Sequence, residues 1–265
     1  MRLIFFFLFI LFAFVTSAQL AEPFQDANGK WGYKYKDGKV DVTPKYDIAL
    51  PYNSAGFAEV NIGRQYKLVN GKKVVVAPGK WGVLHFYRGL VIPPQYDGMM
   101  SLTSDYFSFN TGAAINQEGF ITGGQWGLIN CDKNTIVVQP KYDFISNYGS
   151  SDSILTVYKG GKILYDGNFV MPEENSKGNW GLVNTKGTEL SPFKFSLIRD
   201  YVPNAYIMED AKTKKLGIYN YKGKEMSPCV YDSIFRFAYD DKVACAVKNG
   251  KYGFITAKNE SVLIL

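Results

Sequence analysis

An aromatic residue followed by glycine recurs along this chain of 265 residues, and a second aromatic follows each copy at an almost constant distance. The copies are Trp31-Gly32, Trp81-Gly82, Trp126-Gly127, Trp180-Gly181 and Tyr252-Gly253, with Leu216-Gly217 as a degenerate member. All four tryptophans occupy this slot. The second anchor reads Pro-x-Tyr-Asp around Tyr46, Tyr96 and Tyr142, and is looser at Phe195 and at Tyr231-Asp232. From first anchor to second the separations are 15, 15, 16, 15 and 15 residues. The return to the next copy takes 35, 30, 38, 21 and 21 residues, so the first three units carry 14, 9 and 17 extra residues. Self-similarity at this period marks a repeat architecture, with insertions at one repeat position mapping to one face.

The units read as short strands. Asn28-Gly29, Asp37-Gly38, Lys186-Gly187, Lys222-Gly223 and Asn249-Gly250 flank the Trp strands and predict two-residue primed hairpin turns. Aromatics alternate with Gly or Lys in Trp31 to Lys36, a period of two. Proline ahead of the second aromatic suits a strand start and disfavours a helix. The expected class is all-β, an open curved array of antiparallel hairpins, with a closed propeller as the alternative. Pairing of residues 20–27 with the last strand, 261–265, would mark the closed form.

This pattern resembles the WG-repeat family, named for its Trp-Gly dipeptide, from about Asn28 to Leu265. The match is tight in units one to three and looser afterwards, where Phe195 replaces the Tyr and Leu216 the Trp. The resemblance implies a β-repeat protein, often exported or at the surface of bacteria, without an assigned activity.

The amino terminus reads as a secretory signal. Met1-Arg2 is positive, Leu3 to Val15 is unbroken apolar sequence, and Thr16-Ser17-Ala18 precedes Gln19. The run is too short for a bilayer core that takes about 20 residues and has the layout of a signal peptide. Gln after the Ala at the cut looks like signal peptides common in Bacteroidetes. Cleavage near Ala18 would leave 19–265 as a single domain of five units plus a partial one, periplasmic or extracellular. Without Arg2 the formal charge falls from +6 to +5. Lysines are interspersed with acids, so nucleic acid is not an expected partner.

Few residues suggest chemistry. Cys131, Cys229 and Cys245 include no Cys-x-x-Cys pair, and read either as a Cys229–Cys245 bridge or as three small apolar residues. His85 is the single histidine and reads as a strand residue. Asp47, Asp97, Asp143 and Asp232 could form a calcium ladder, but one Asp per unit after Tyr more often caps a turn. The aromatics Trp31, Trp81, Trp126, Trp180, Tyr252, Tyr46, Tyr96, Tyr142 and Tyr231 are expected to pack between units, since repeat cores must recur. No catalytic residue, metal or cofactor is assigned. The insertions, 53–79, 105–124 and 154–179, are the expected contact face, through Tyr106, Phe107, Phe109, Phe120, Tyr158, Tyr165 and Phe169. The partner would be a protein or polysaccharide. The alternative is a carbohydrate- or cell-wall-directed hydrolase pairing carboxylates from separate units, such as Glu118 with Glu173 or Glu174.

Overall fold

The near-constant distance between the two aromatics is the length of a hairpin whose ends face each other. The computed structural model describes residues 20–147, 153–165, 170–173, 176–202, 205–237, 243–256 and 261–264. In it Trp31 lies opposite Tyr46, Trp81 opposite Tyr96, and Trp126 opposite Tyr142, all across antiparallel strands. Trp180 faces Phe195 and Leu216 faces Tyr231 in the same way. Just beyond the first anchor the register slips in four of these pairs, between Trp31 and Tyr33, Trp81 and Val83, Trp126 and Leu128, and Leu216 and Ile218. The residue at each slip is the glycine. A Cβ on Gly82 would lie 2.7 Å from the Pro94 nitrogen, and one on Gly127 2.6 Å from both the Val138 carbonyl and the Phe109 ring. The bulged proline strand and a neighbouring ring thus take the space a side chain would fill. That is why Trp, Gly and Pro recur together.

Every described element is a strand. The first sheet joins β1 (Glu22–Gln25), β2 (Trp31–Lys34) and β3 (Val40–Tyr46). The second orders β4 (Ile48–Ala49), β5 (Phe57–Val69), β6 (Lys72–His85) and β7 (Gly89–Tyr96). The third begins with β8 (Gly98–Ser101), β9 (Tyr106–Ile115), β10 (Ile121–Asn130) and β11 (Thr135–Tyr142). Next come β12 (Phe144–Ser146), β13 (Ile154–Lys159), β14 (Ile163–Tyr165), β15 (Val170–Pro172) and β16 (Asn179–Asn184). They are followed by β17 (Phe195–Val202), β18 (Ala205–Asp210), β19 (Leu216–Asn220) and β20 (Glu225–Tyr231). The last sheet holds β21 (Ser233–Phe237), β22 (Val243–Lys248), β23 (Lys251–Thr256) and β24 (Ser261–Ile264).

An aspartate sits at the corner between units. The Asp47 carboxylate accepts from Lys30 Nζ at 2.6 Å and from the Gly63 N–H at 2.6 Å, so residues from two successive sheets meet on it. Asp97 does the same with Lys80 at 2.6 Å and Gly112 at 2.7 Å, and Asp232 with Lys215 and Gly250. Gln125 replaces the lysine in the third unit, where Asp143 accepts from Gly160 and Gly161 instead. The chain bends at each of these aspartates. Ser196 stands in the fourth slot, bonded to Glu209 at 2.6 Å, and there the strand runs on without a bend. β12, β13 and β16 to β20 consequently form one seven-stranded sheet.

Side chains alternate between two cores. Ala58, Val60 and Leu84 face the first sheet with Tyr33 and Tyr46, while Phe57, Trp81 and Val83 face the third with Phe107 and Phe109. The same arrangement repeats around Trp126, around Phe195 and around Leu216. β1 pairs with β2 and β24 with β23; among the described residues no ladder joins β1 to β24, and the array is open.

The turns differ in type from the expectation. At Asn249-Gly250 and at Asn70-Gly71 both residues have positive φ, as a primed turn requires. At the four other sites only the glycine does. Gly38 donates to the Tyr35 carbonyl at 2.9 Å and Gly187 to that of Asn184 at 2.9 Å, closing three-residue loops with the glycine as bulge. The Asn184 side chain selects this form by accepting from the N–H groups of Lys186 and Thr188 at 3.0 and 2.9 Å.

Candidate functional site

The three insertions are extensions of the hairpin that precedes the next Trp slot, and they lie against one another. β5 and β6 run as a ribbon out to a turn at Asn70-Gly71. A Cβ at Gly119, in the β9–β10 turn, would lie 3.1 Å from Val74 Cγ1 of that ribbon. β14, from the third insertion, adds to β10 through Ile121↔Tyr165 and Thr122↔Leu164, and β15 adds to β14. Sequence-distant segments thereby form one inserted layer.

The rings named for contact fall mostly beneath this layer. Phe107 and Phe109 are buried, because the part of β9 that carries them pairs with Trp126 to Asn130 and belongs to the regular unit. The true insertion begins beyond Asn110. Tyr158 is buried against Trp180, with ring centroids 5.0 Å apart, and its hydroxyl pairs with Ser176 Oγ at 2.9 Å. Tyr165 is buried edge-on to Trp126 at 5.6 Å. Tyr106 and Phe120 are half-buried. Phe169, Glu174 and the amino-terminal run with Ala18 lie outside the described residues.

Among the first anchors, Trp81 and Trp126 are buried, Trp31 and Trp180 half-buried, and Tyr252 is 57% exposed. Tyr46, Tyr142 and Tyr231 are buried and Tyr96 half-buried. The three cysteines are free, and burial pushes the Cys131 thiol up, out of the thiolate range. His85 packs against Phe57 at 4.7 Å, and its pKa is lowered by burial and then by Arg88.

A cavity of about 310 Å³ opens between the second and third sheets. Its wall includes Glu59, Arg64, Trp81, Met99 and Tyr165. Glu59 is 7% exposed and accepts the Ser101 N–H at 2.6 Å; burial raises its pKa, opposed by that bond. Trp81 Nε1 and Arg64 Nε are buried without a partner. Glu59 and Arg64 give the wall one carboxyl group and one guanidinium. It holds a single carboxylate, where a glycosidase needs two. Glu118 is exposed and Glu173 lies 3.8 Å from Lys162; neither lines the cavity. Periodicity gave no sign of Glu59, although alternation puts it on the Phe57 face.

The exposed apolar side chains of the ribbon are the feature the motifs did not mark. Ile62, Tyr66, Leu68, Val69 and Val76 are 40–73% exposed. A stretch without Asp or Glu, from Val60 to Tyr96, was the available signal.

Three stretches of the chain match the family model of the WG containing repeat. They span residues 126–162, 180–207 and 217–252. Two of the matches begin at the first anchors Trp126 and Trp180 and the second contains Phe195, while the third begins at Gly217, just past Leu216. No curated protein matches the chain. Among solved structures, a crystal structure of the eukaryotic initiation factor is 9% identical, with 93% of this chain and 85% of that one covered. Its TM-score of 0.26 is too low to carry an argument. No helix among the described residues is long and apolar enough to cross a membrane.

Proposed function

We propose that this chain is an exported, non-enzymatic WG-repeat protein that binds an envelope or extracellular macromolecule, a protein or polysaccharide, through its inserted layer. The observation that carries the reading is the convergence of the second and third insertions into an added sheet, β9–β10–β14–β15, leaning on the first. The last two units pack with a 21-residue return, so the added strands exceed what a unit requires, even though Ile121, Ile163 and Tyr165 from them join the Trp126 core. Extra loops on a rigid framework are where binding concentrates. Export rests on the apolar run and the Ala18 cleavage point.

The test compares the mature chain with a version in which residues 112–124 are replaced by Asn-Gly, keeping the Thr111↔Gln125 pair as the hairpin end. In pull-downs from envelope fractions the mature chain is expected to recover a partner that the trimmed chain loses. Equal recovery by both, or recovery by neither, overturns the reading. Mass spectrometry of the secreted product should find Gln19 as its first residue; retention of Met1 removes the export part.

A further inference from the structure

We infer that the tip of the β5–β6 ribbon docks on an anionic lipid bilayer, with Leu68 and Val69 entering the headgroup region and lysines holding the phosphates. The ribbon belongs to the inserted layer, but its tip lies beyond the contact of the β9–β10 turn with Val74, and vesicle binding is read separately from partner capture.

Three properties converge on the tip. Arg64, Lys67, Lys72 and Lys73 lie in the ribbon with no acid between Val60 and Tyr96. The register puts Leu68 opposite Lys73 and Val69 opposite Lys72, while Lys67 faces Val74. Cross-strand partners share a face, so each side of the ribbon presents apolar groups beside cations. Near the turn Leu68 is 73% and Val69 40% exposed. No atom lies within 4 Å of where a Gly71 Cβ would be.

The geometry suits a planar, negatively charged surface with an apolar interior. A protein groove would meet one face of the ribbon; here the end carries the mixture on both faces, beyond the point where the β9–β10 turn meets Val74. Arg64 and Lys73 lie 5.6 and 6.0 Å from the Tyr66 ring centroid. That places Tyr66 behind the tip, between Lys73 and the cavity-lining Arg64, at the level where an amphipathic ring meets headgroups. Lysines can also guard a free strand edge against pairing, but that role does not account for an exposed Leu-Val end. The root is held by the core pair Asn61↔Trp81, so the tip is presented on a fixed stem.

The test is co-sedimentation of the mature chain with phosphatidylglycerol–phosphatidylcholine vesicles, with pure phosphatidylcholine as the control. Binding is expected to the mixed vesicles only, weakening with salt. Each cation contributes about fivefold near an anionic surface. The triple variant Lys67→Gln, Lys72→Gln, Lys73→Gln should therefore lose about 100-fold in partition, and Leu68→Ser about tenfold. All four positions are exposed, and unchanged melts would establish that both variants fold. The chain trimmed at 112–124 should still bind vesicles, so loss of its pull-down partner and loss of lipid binding are read separately. Absence of binding to mixed vesicles overturns the proposal, as does equal binding by wild type and both variants. Sensitivity to the lysines but not to Leu68 also overturns it, since that pattern belongs to a surface polyanion site without insertion.

Discussion

The third and the last Trp slots carry the same dipeptide type and end in opposite states. Trp126 is 2% exposed, while Tyr252 is 57% exposed. Both follow a hairpin partner, Asn110 in one case and Val247 in the other. They differ in what comes next. Trp126 is closed over by Tyr142 across the bulge, with Phe144 at 5.1 Å and Tyr165 at 5.6 Å edge-on. After Tyr252 comes β24, and among the described residues no second-anchor ring is paired with Tyr252. The dipeptide is thus half of a structural element, and the second anchor with the next unit supplies its burial.

The largest effect that would break this comparison is truncation of the two rings. Trp126→Ala should cost about 3–5 kcal/mol, whereas Tyr252→Ala should stay within about 0.5 kcal/mol. Because each unit rests on its neighbours, hydrogen exchange in Trp126→Ala should quicken in β16 as well as in β10. Denaturant melts check the first part. Equal costs at the two slots would mean that the second anchor does not bury the first.

A smaller effect isolates the bulge. Gly127→Ala keeps every ring but places a methyl 2.6 Å from the Val138 carbonyl and from Phe109. Overpacking of that kind costs about 1–3 kcal/mol, read as a lower midpoint with an unchanged denaturant slope. A neutral result would mean that the proline strand can move away, and that glycine is not what the bulge requires.

The corner aspartate persists where the ring burial does not, since Asp232 still joins Lys215 and Gly250 beside the exposed Tyr252. Asp97→Ala removes an acceptor from the Gly112 N–H and from Lys80, at a cost of about 1 kcal/mol. Lys80→Met, which deletes a surface partner, should cost less than about 1 kcal/mol. If the lysine change costs more than the aspartate change, the corner is held by the ion pair rather than by the bond to the next sheet.

What could be read from the chain alone was whatever the repeat imposes locally. The distance from Trp31 to Tyr46 is a hairpin length, and Gly32 beside a later Pro44 is a close approach; both follow from spacing. The open form was legible too, since residues 20–27 add only the short β1. Depth within an insertion was not. Phe107 and Phe109 lie in sequence with the inserted residues, yet register pairs them with the regular part of β10. The turn type at Asp37-Gly38 depends on a loop of three rather than two residues, which the dipeptide does not determine. The merged seven-stranded sheet follows from Ser196, a single missing aspartate whose effect appears only when neighbouring units are in place. Glu59 escaped notice because its burial arises from the third sheet, through Ser101.

The smallest effect concerns that carboxyl, which tests whether the cavity between the second and third sheets behaves as interior. Burial raises the pKa of Glu59 above its ordinary 4.5. Above pH 4.5 the unfolded chain gives up this proton while the native chain keeps it, so the native state binds more protons. Stability must then fall as pH rises from 4.5 through the native value. Asp210 and Asp232 act oppositely: their pKa values lie below the ordinary 3.8 because of N–H bonds from Thr213 and the bond from Lys215. They withdraw stability as pH drops below 3.8. Glu59→Gln retains an Oε1 acceptor for Ser101 and removes only the titration. The melting difference, variant minus wild type, cancels the aspartates and should rise in the variant's favour between pH 4.5 and 7. A difference that stays flat over this range would mean that solvent reaches the carboxylate, and that the cavity wall at Glu59 is open to water.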